Sequence, residues 1–429
     1  MKFVSYLRFI SIYNRSYIFI FYKKHINSLI FLVVALLFAS PIHAFELSGV
    51  VGLENLGFLE APLNNQQHSN YLSGVIEPKL THEWDDSKQM FTFEPFYRYS
   101  QYDNRRTHFD IRELNWLNIS DTWELRVGIS RVFWGTAESE HLVNIVNQTD
   151  LVEDLTMEEK LGQPMVNLSL IRDWGTLNLF VLPGFRERTF SGSQGRFNFN
   201  PPLDVENSQF GAQGFKKETS YATRWSKSLG DWDLGLSHFY GTSREPSIIP
   251  STNSTGGLNF VPQYPIIHQG GLDLQVTKER WLWKLESIIR SGQGPSYNAS
   301  VGGLEYSFYG VFDSKVDVGL ITEYMYDSRG TRAITLLNQP NQLIFFQDDF
   351  MTGVRVNFND EQSSEAIASG TFDRTTGEKF YGLTIKRRLV DNIKMLFEMR
   401  FYNNNASIND ATYFLRRDNY IRSELNYYF

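Results

Sequence analysis

Arg98, Arg126, Arg290, Arg355, Arg400 and Arg422 share one property. Each occupies the polar phase of a segment in which polar and apolar residues alternate. Glu94, Glu124, Glu286, Asp317, Glu323, Lys386, Glu398 and Glu424 fall in the same phase, and Arg186 continues it. Guanidinium and carboxylate groups placed this way suit two roles. They pair across neighbouring strands and stiffen a wall, or unpaired members set a transverse field that selects solutes. One residue can do both. The recurrence of Arg favours anionic or polyhydroxylated solutes, whereas a formal charge of −7 argues against strong anion selectivity.

Catalytic patterns are missing. The chain has no Gly-x-Ser-x-Gly elbow and no His-Glu-x-x-His pair. His68, His82, His108, His141, His238 and His268 are dispersed and read as isolated imidazoles. There is no cysteine, so disulfides and thiolate metal sites are excluded. The sequence therefore predicts neither an enzyme nor a cofactor.

The elements that carry the charged residues are strands. Segments 47–53, 72–81, 91–100, 123–130, 177–186, 232–241, 281–290, 316–326, 350–358 and 395–401 all alternate with period two. Short connections at 85–88, 120–122, 172–175, 229–231, 278–280, 312–314, 359–362 and 390–392 alternate with long polar ones. The long ones are 60–70, 135–162, 188–218, 243–268, 327–342 and 403–413. Trp84, Trp123, Trp174, Trp232 and Trp281 stand in or beside the short turns, where rings at a membrane boundary collect.

Near the start of the chain Lys23 and Lys24 precede an apolar run at 29–39, broken by Pro41 and followed by Ala44. This layout predicts a secretory leader over residues 1–44. Its five basic residues leave a remainder near about −12, which argues against nucleic acid as a partner. Beyond Ala44 no run approaches the roughly 20 apolar residues a spanning helix needs. A membrane protein without such helices must be a closed barrel, because lipid satisfies no backbone polar group. The pattern predicts an all-β, antiparallel up-and-down transmembrane barrel over 45–429. About 18 strands are expected, with about 16 as the alternative. A secreted sandwich or solenoid is the competing fold, and no fixed-period repeat supports it.

The last segment reads Ile421-Arg-Ser-Glu-Leu-Asn-Tyr-Tyr-Phe429. It resembles the C-terminal strand of Gram-negative outer-membrane barrels. The resemblance implies an outer-membrane location, with lipid and lipopolysaccharide around the wall. It also implies recognition of Phe429 by the barrel-assembly machinery.

Residues 135–162 form the third long loop. Leu142, Val143, Ile145 and Val146 make it too apolar for a solvated excursion. Packing inside the barrel would set Glu138, Glu140 and Asp150 against Arg98, Arg112 and Arg126 across a constriction. An extracellular cap outside the pore is the alternative. The region also resembles a broad family of proteobacterial outer-membrane proteins, and more distantly the alginate-export barrels. The matching motifs are Arg112-Glu113, Trp134-Gly135-Thr136-Ala137-Glu138 and Asn147-Gln148-Thr149-Asp150, where Gln148 replaces the usual Pro. The resemblance implies a porin-like channel, in some members for hydrophobic cargo. The expected function is passive transport of a small-molecule solute. A non-conducting scaffold or partner-binding barrel is the alternative.

Overall fold

The computed structural model describes residues 45–154, 156–199, 201–211, 218–330, 341–342, 346–403 and 413–429. The leader expected over 1–44 lies outside the described residues. In chain order the strands are β1 (Glu46–Phe58), β2 (Asn70–Trp84), β3 (Gln89–Ser100), β4 (His108–Ile119), β5 (Trp123–Ser130) and β6 (Gln163–Arg172). They continue with β7 (Gly175–Leu182), β8 (Gln209–Phe210), β9 (Ser220–Leu229), β10 (Trp232–Thr242), β11 (Ser247–Thr252) and β12 (Leu258–Tyr264). Next come β13 (Ile266–Lys278), β14 (Trp281–Ser291), β15 (Tyr297–Phe308), β16 (Asp317–Asp327) and β17 (Asn341–Gln342). The last are β18 (Asp348–Asn357), β19 (Glu365–Asp373), β20 (Lys379–Val390), β21 (Ile393–Asn403) and β22 (Tyr420–Tyr428).

Eighteen strands form one sheet, and β8, β11, β12 and β17 form a small separate sheet. The large sheet closes where β1 meets β22, with Val50 opposite Tyr428 and Phe58 opposite Tyr420. Phe429 extends this seam by exchanging 3.1 Å backbone hydrogen bonds with Gly49. Closure satisfies both edges, as a barrel in lipid requires.

Side-chain alternation decides which face meets lipid. Leu47, Val51 and Leu53 on β1, and Leu425, Tyr427 and Phe429 beside them, are exposed outward. Glu54, Leu56 and Phe58 are buried inward. An Arg or Lys on the outer face near midplane would cost roughly 2–4 kcal/mol, which is why the charged phase turns in. Trp123, Trp232 and Trp281 each open a strand at a short turn, and Trp174 lies in the β6–β7 turn.

Two connections depart from the strict short–long alternation: 292–296 and 374–378 are tight links on the long-loop side. β7 ends at Leu182, so Arg186 lies beyond the wall rather than in it. A local bulge changes the β3–β4 register: Glu94 pairs with Glu113 and Pro95 with Ile111, leaving Arg112 as the extra residue. Adjacent residues on a regular strand face opposite sides. The bulge lets Arg112 and Glu113 both turn inward.

Candidate functional site: the loop-crossed lumen

The segment 131–162 leaves β5 and crosses the barrel interior. Glu113 fixes its departure by accepting hydrogen bonds from the Arg131 amide (2.8 Å) and the Ser130 hydroxyl (2.6 Å). Asn147 ties the two limbs of the loop together. Its Oδ1 accepts the Val132 amide at 2.9 Å, and its Nδ2 donates to Ser130 O (2.8 Å) and Leu161 O (2.9 Å). The apolar side of the loop packs as its composition demands. Trp134, Val143, Ile145 and Val146 are buried against Met165, Phe180, Phe239 and Ile288 from the inner wall.

The loop tip is held by two wall carboxylates. Glu286 on β14 accepts the amides of Thr136 (2.7 Å), Ala137 (3.0 Å) and Val143 (3.2 Å). Glu323 on β16 accepts those of Glu138 and Ser139, both at 2.8 Å, and the Ser139 hydroxyl at 2.5 Å. Gly135 permits this approach. Its φ is +134°, and a Cβ there would stand 2.7 Å from Glu286 Oε1. The Glu138 side chain reaches Arg355 on β18 at 2.7 Å and Lys284 on β14 at 3.4 Å. Burial alone would raise the Glu138 pKa, but Arg355 and then Lys284 outweigh it and hold it below the ordinary value.

The returning limb is anchored on the opposite side. Asp150 meets Arg112 at 2.9 Å and accepts from the Thr189 hydroxyl at 2.7 Å. Burial raises its pKa, yet the His108 hydrogen bond and the Arg112 charge prevail and hold it near about 2. Glu153 meets Arg98 at 2.7 Å. Arg112 also stacks over Phe96, 4.3 Å from the ring centre.

The predicted site residues thus separate. Asp150 faces Arg112, whereas Glu138 faces Arg355 and Lys284 instead of Arg98, Arg112 or Arg126. Arg98 also approaches Glu54 at 3.4 Å, as does Arg422 at 3.1 Å. Arg400 pairs with Glu398 (3.1 Å), Arg186 with Asp110 (2.7 Å) and Arg290 with Glu245 (2.8 Å). Arg126, the fourth residue of β5, has a buried Nε without a hydrogen-bond partner among the described residues. Glu140 lines the cavity described below. Burial and the neighbouring Glu245 and Asp327 push its pKa up to about 8. Sequence reasoning placed Glu286 and Glu323 in the lumen but not as loop clamps, named Asn147 only as part of a motif, and passed over Lys284. Lys284 shares the phase of Glu286, so that signal was present.

The loop leaves one side of the lumen unfilled. A cavity of about 580 Å³ lies between it and the wall strands β18–β22. Glu138, Glu158 and Glu159 border it from the loop; Lys386, Arg400 and Arg422 border it from the wall. A second space of about 520 Å³ opens below Gly135 and Thr136 toward the short turns, beside Arg172, Arg224 and Lys227.

Solved structures share this architecture. Wzi of Escherichia coli, described as a carbohydrate-binding β-barrel involved in Group 1 capsule assembly, matches with 11% identity and a TM-score of 0.50. The match covers 88% of this chain and 83% of Wzi. OpdO of Pseudomonas aeruginosa matches at 10% identity and TM-score 0.50, covering 90% and 96%. OccAB3 of Acinetobacter baumannii matches at 11% identity and TM-score 0.50, covering 90% and 99%. Comparison with protein-family models gave no match, and neither did comparison with curated proteins. The closed barrel, its apolar outer face and these neighbours define an outer-membrane β-barrel of porin-like architecture.

Proposed function

We propose that this barrel is a passive outer-membrane channel for a small polar solute, narrowed by the segment 131–162. The supporting observation is the cavity of about 580 Å³ along β18–β22, which the loop borders without filling. The loop side carries mainly carboxylates, whereas on the wall Lys386, Arg400 and Arg422 alternate with Glu365, Glu398 and Glu424. Such an arrangement orients a dipolar solute and filters by charge as well as size. Arg112, Glu113 and Asp150 act one step back in this reading, holding the loop in place.

Liposome swelling with purified protein tests the proposal. Graded swelling with sugars of increasing size is the expected result. No swelling in any of them would sink it. The apolar packing of Trp134, Val143 and Val146 against the wall supports the second reading, a non-conducting barrel that serves as a scaffold. That reading predicts intact folding with no permeation.

A further inference from the structure

Among the described residues most lumen cations have a carboxylate within ion-pair distance, but several do not, Arg126 and Lys386 on the wall among them. Lys160, Arg188 and Arg244 form no ion pair there either. All three border the 580 Å³ cavity. They converge on one stretch of the loop. Arg244 Nε donates to Val146 O at 3.0 Å, Arg188 Nε reaches Gln148 Oε1 at 3.4 Å, and Lys160 Nζ donates to Thr149 Oγ1 at 2.9 Å. Arg188 is 5% exposed and Arg244 only 2%.

Arg244 is the most telling of the three. Its Nη1 donates to Thr242 O at 3.0 Å, but its Nη2 is buried with no hydrogen-bond partner. Phe185 and Phe239 lie 5.3 and 5.2 Å from the guanidinium carbon, a partial compensation through their ring faces. Burial lowers the Arg244 pKa to about 9; burial and then the Arg188 charge lower that of Lys160 to about 7. Buried cations are ordinarily paired, because an uncompensated charge away from water is costly. Glu245, whose charge acts on Arg188, is committed to Arg290 at 2.8 Å. Glu158 and Glu159 share the cavity and stop short of an ion pair.

We infer that Lys160, Arg188 and Arg244 form a binding site for the oxyanion end of a solute, a carboxylate or a phosphate. Two guanidinium groups offer forked donors to such a group, and the ammonium adds a third charge. The cavity volume falls within the range of small-molecule sites, so the rest of the solute extends along the β18–β22 wall. This inference names the solute class of the channel proposed above and rests on that reading only for the route of entry.

Calorimetric titration of the detergent-solubilised protein with gluconate, glucose 6-phosphate and glucose tests it. Saturable binding of at least one anion, weakened by added salt, is expected, with none for glucose. Which anion binds separates carboxylate from phosphate. Replacing Arg188→Gln together with Arg244→Gln should weaken binding at least tenfold, with folding checked by heat-shifted electrophoretic mobility. If that pair does not fold, Lys160→Gln is measured against the same expectation of weakened binding. Absence of anion binding, equal binding of glucose, or unchanged affinity in the folded variants overturns the site. Swelling assays run in parallel keep the two proposals apart. Permeation without anion binding removes the site and keeps the channel; binding without permeation does the reverse.

Discussion

Glu138 Oε1 and Arg355 Nη2 stand 2.7 Å apart, although the strands that lead to them lie across the barrel from each other. The loop carrying Glu138 leaves β5, the fifth strand of the wall, and β18 is the fourteenth of eighteen. The contact therefore spans the lumen. Lys284 at 3.4 Å makes the same carboxylate a bridge to β14.

Loosening this tie should widen the passage. Glu138→Gln keeps the shape and removes the charge, at an expected cost of about 1 kcal/mol for a partly exposed pair. Single-channel recording in planar bilayers should show higher or noisier conductance. Deleting 139–161 should raise it further. Unchanged conductance in the deletion would mean that the loop does not narrow the pore.

The Gly135–Glu286 approach gives a stability prediction. Gly135→Ala places a Cβ 2.7 Å from Glu286 Oε1 on a backbone with φ of +134°. The conformational strain alone is roughly 1–3 kcal/mol. Thermal unfolding in detergent should show the loss, and combining it with Glu286→Ala should relieve only the steric part. A full recovery in the double variant would show that the backbone conformation carries no cost.

Asp150 makes the loop anchor acid-sensitive. Its pKa is lowered to about 2 from 3.8, so its carboxylate stabilises the fold above the unfolded value. That contribution, on the order of 2 kcal/mol, is lost as pH falls from about 4 through about 2. The difference in unfolding midpoint between wild type and Asp150→Asn should be large at pH 6 and shrink across that window. A difference that stays constant with pH would assign the effect to packing rather than charge.

Glu140 works in the opposite direction. The unfolded chain releases this proton near 4.5, while the folded protein holds it to about 8. Stability therefore falls as pH rises from about 4.5 to about 8 and levels off above. Glu140→Gln should flatten that part of the wild-type profile. An identical slope in the variant would locate the titration elsewhere.

Which side chains meet lipid could be read from the chain alone. Period-two alternation, the short turns and the tryptophans beside them follow from local geometry and transfer energies, and both are written residue by residue. Leu425, Tyr427 and Phe429 face outward for that reason, and Glu286 and Glu323 face inward. For the loop, the apolar Val143 and Val146 favoured packing against a surface, but the sequence left an extracellular cap open beside the lumen.

Partnership was a different matter. Glu138 joins Arg355 across 217 positions of sequence, and Glu286 meets Thr136 across 150. No periodicity encodes such a pair, since it depends on how far the loop reaches and where the closed wall brings β14, β16 and β18. The Arg112 bulge similarly turns two neighbouring residues inward against the alternation rule. Hydrophobic patterning acts along the strand and fixes each residue's side. Closure of the barrel acts across it and decides which charges meet and which, like Arg244, find no counterion among the described residues.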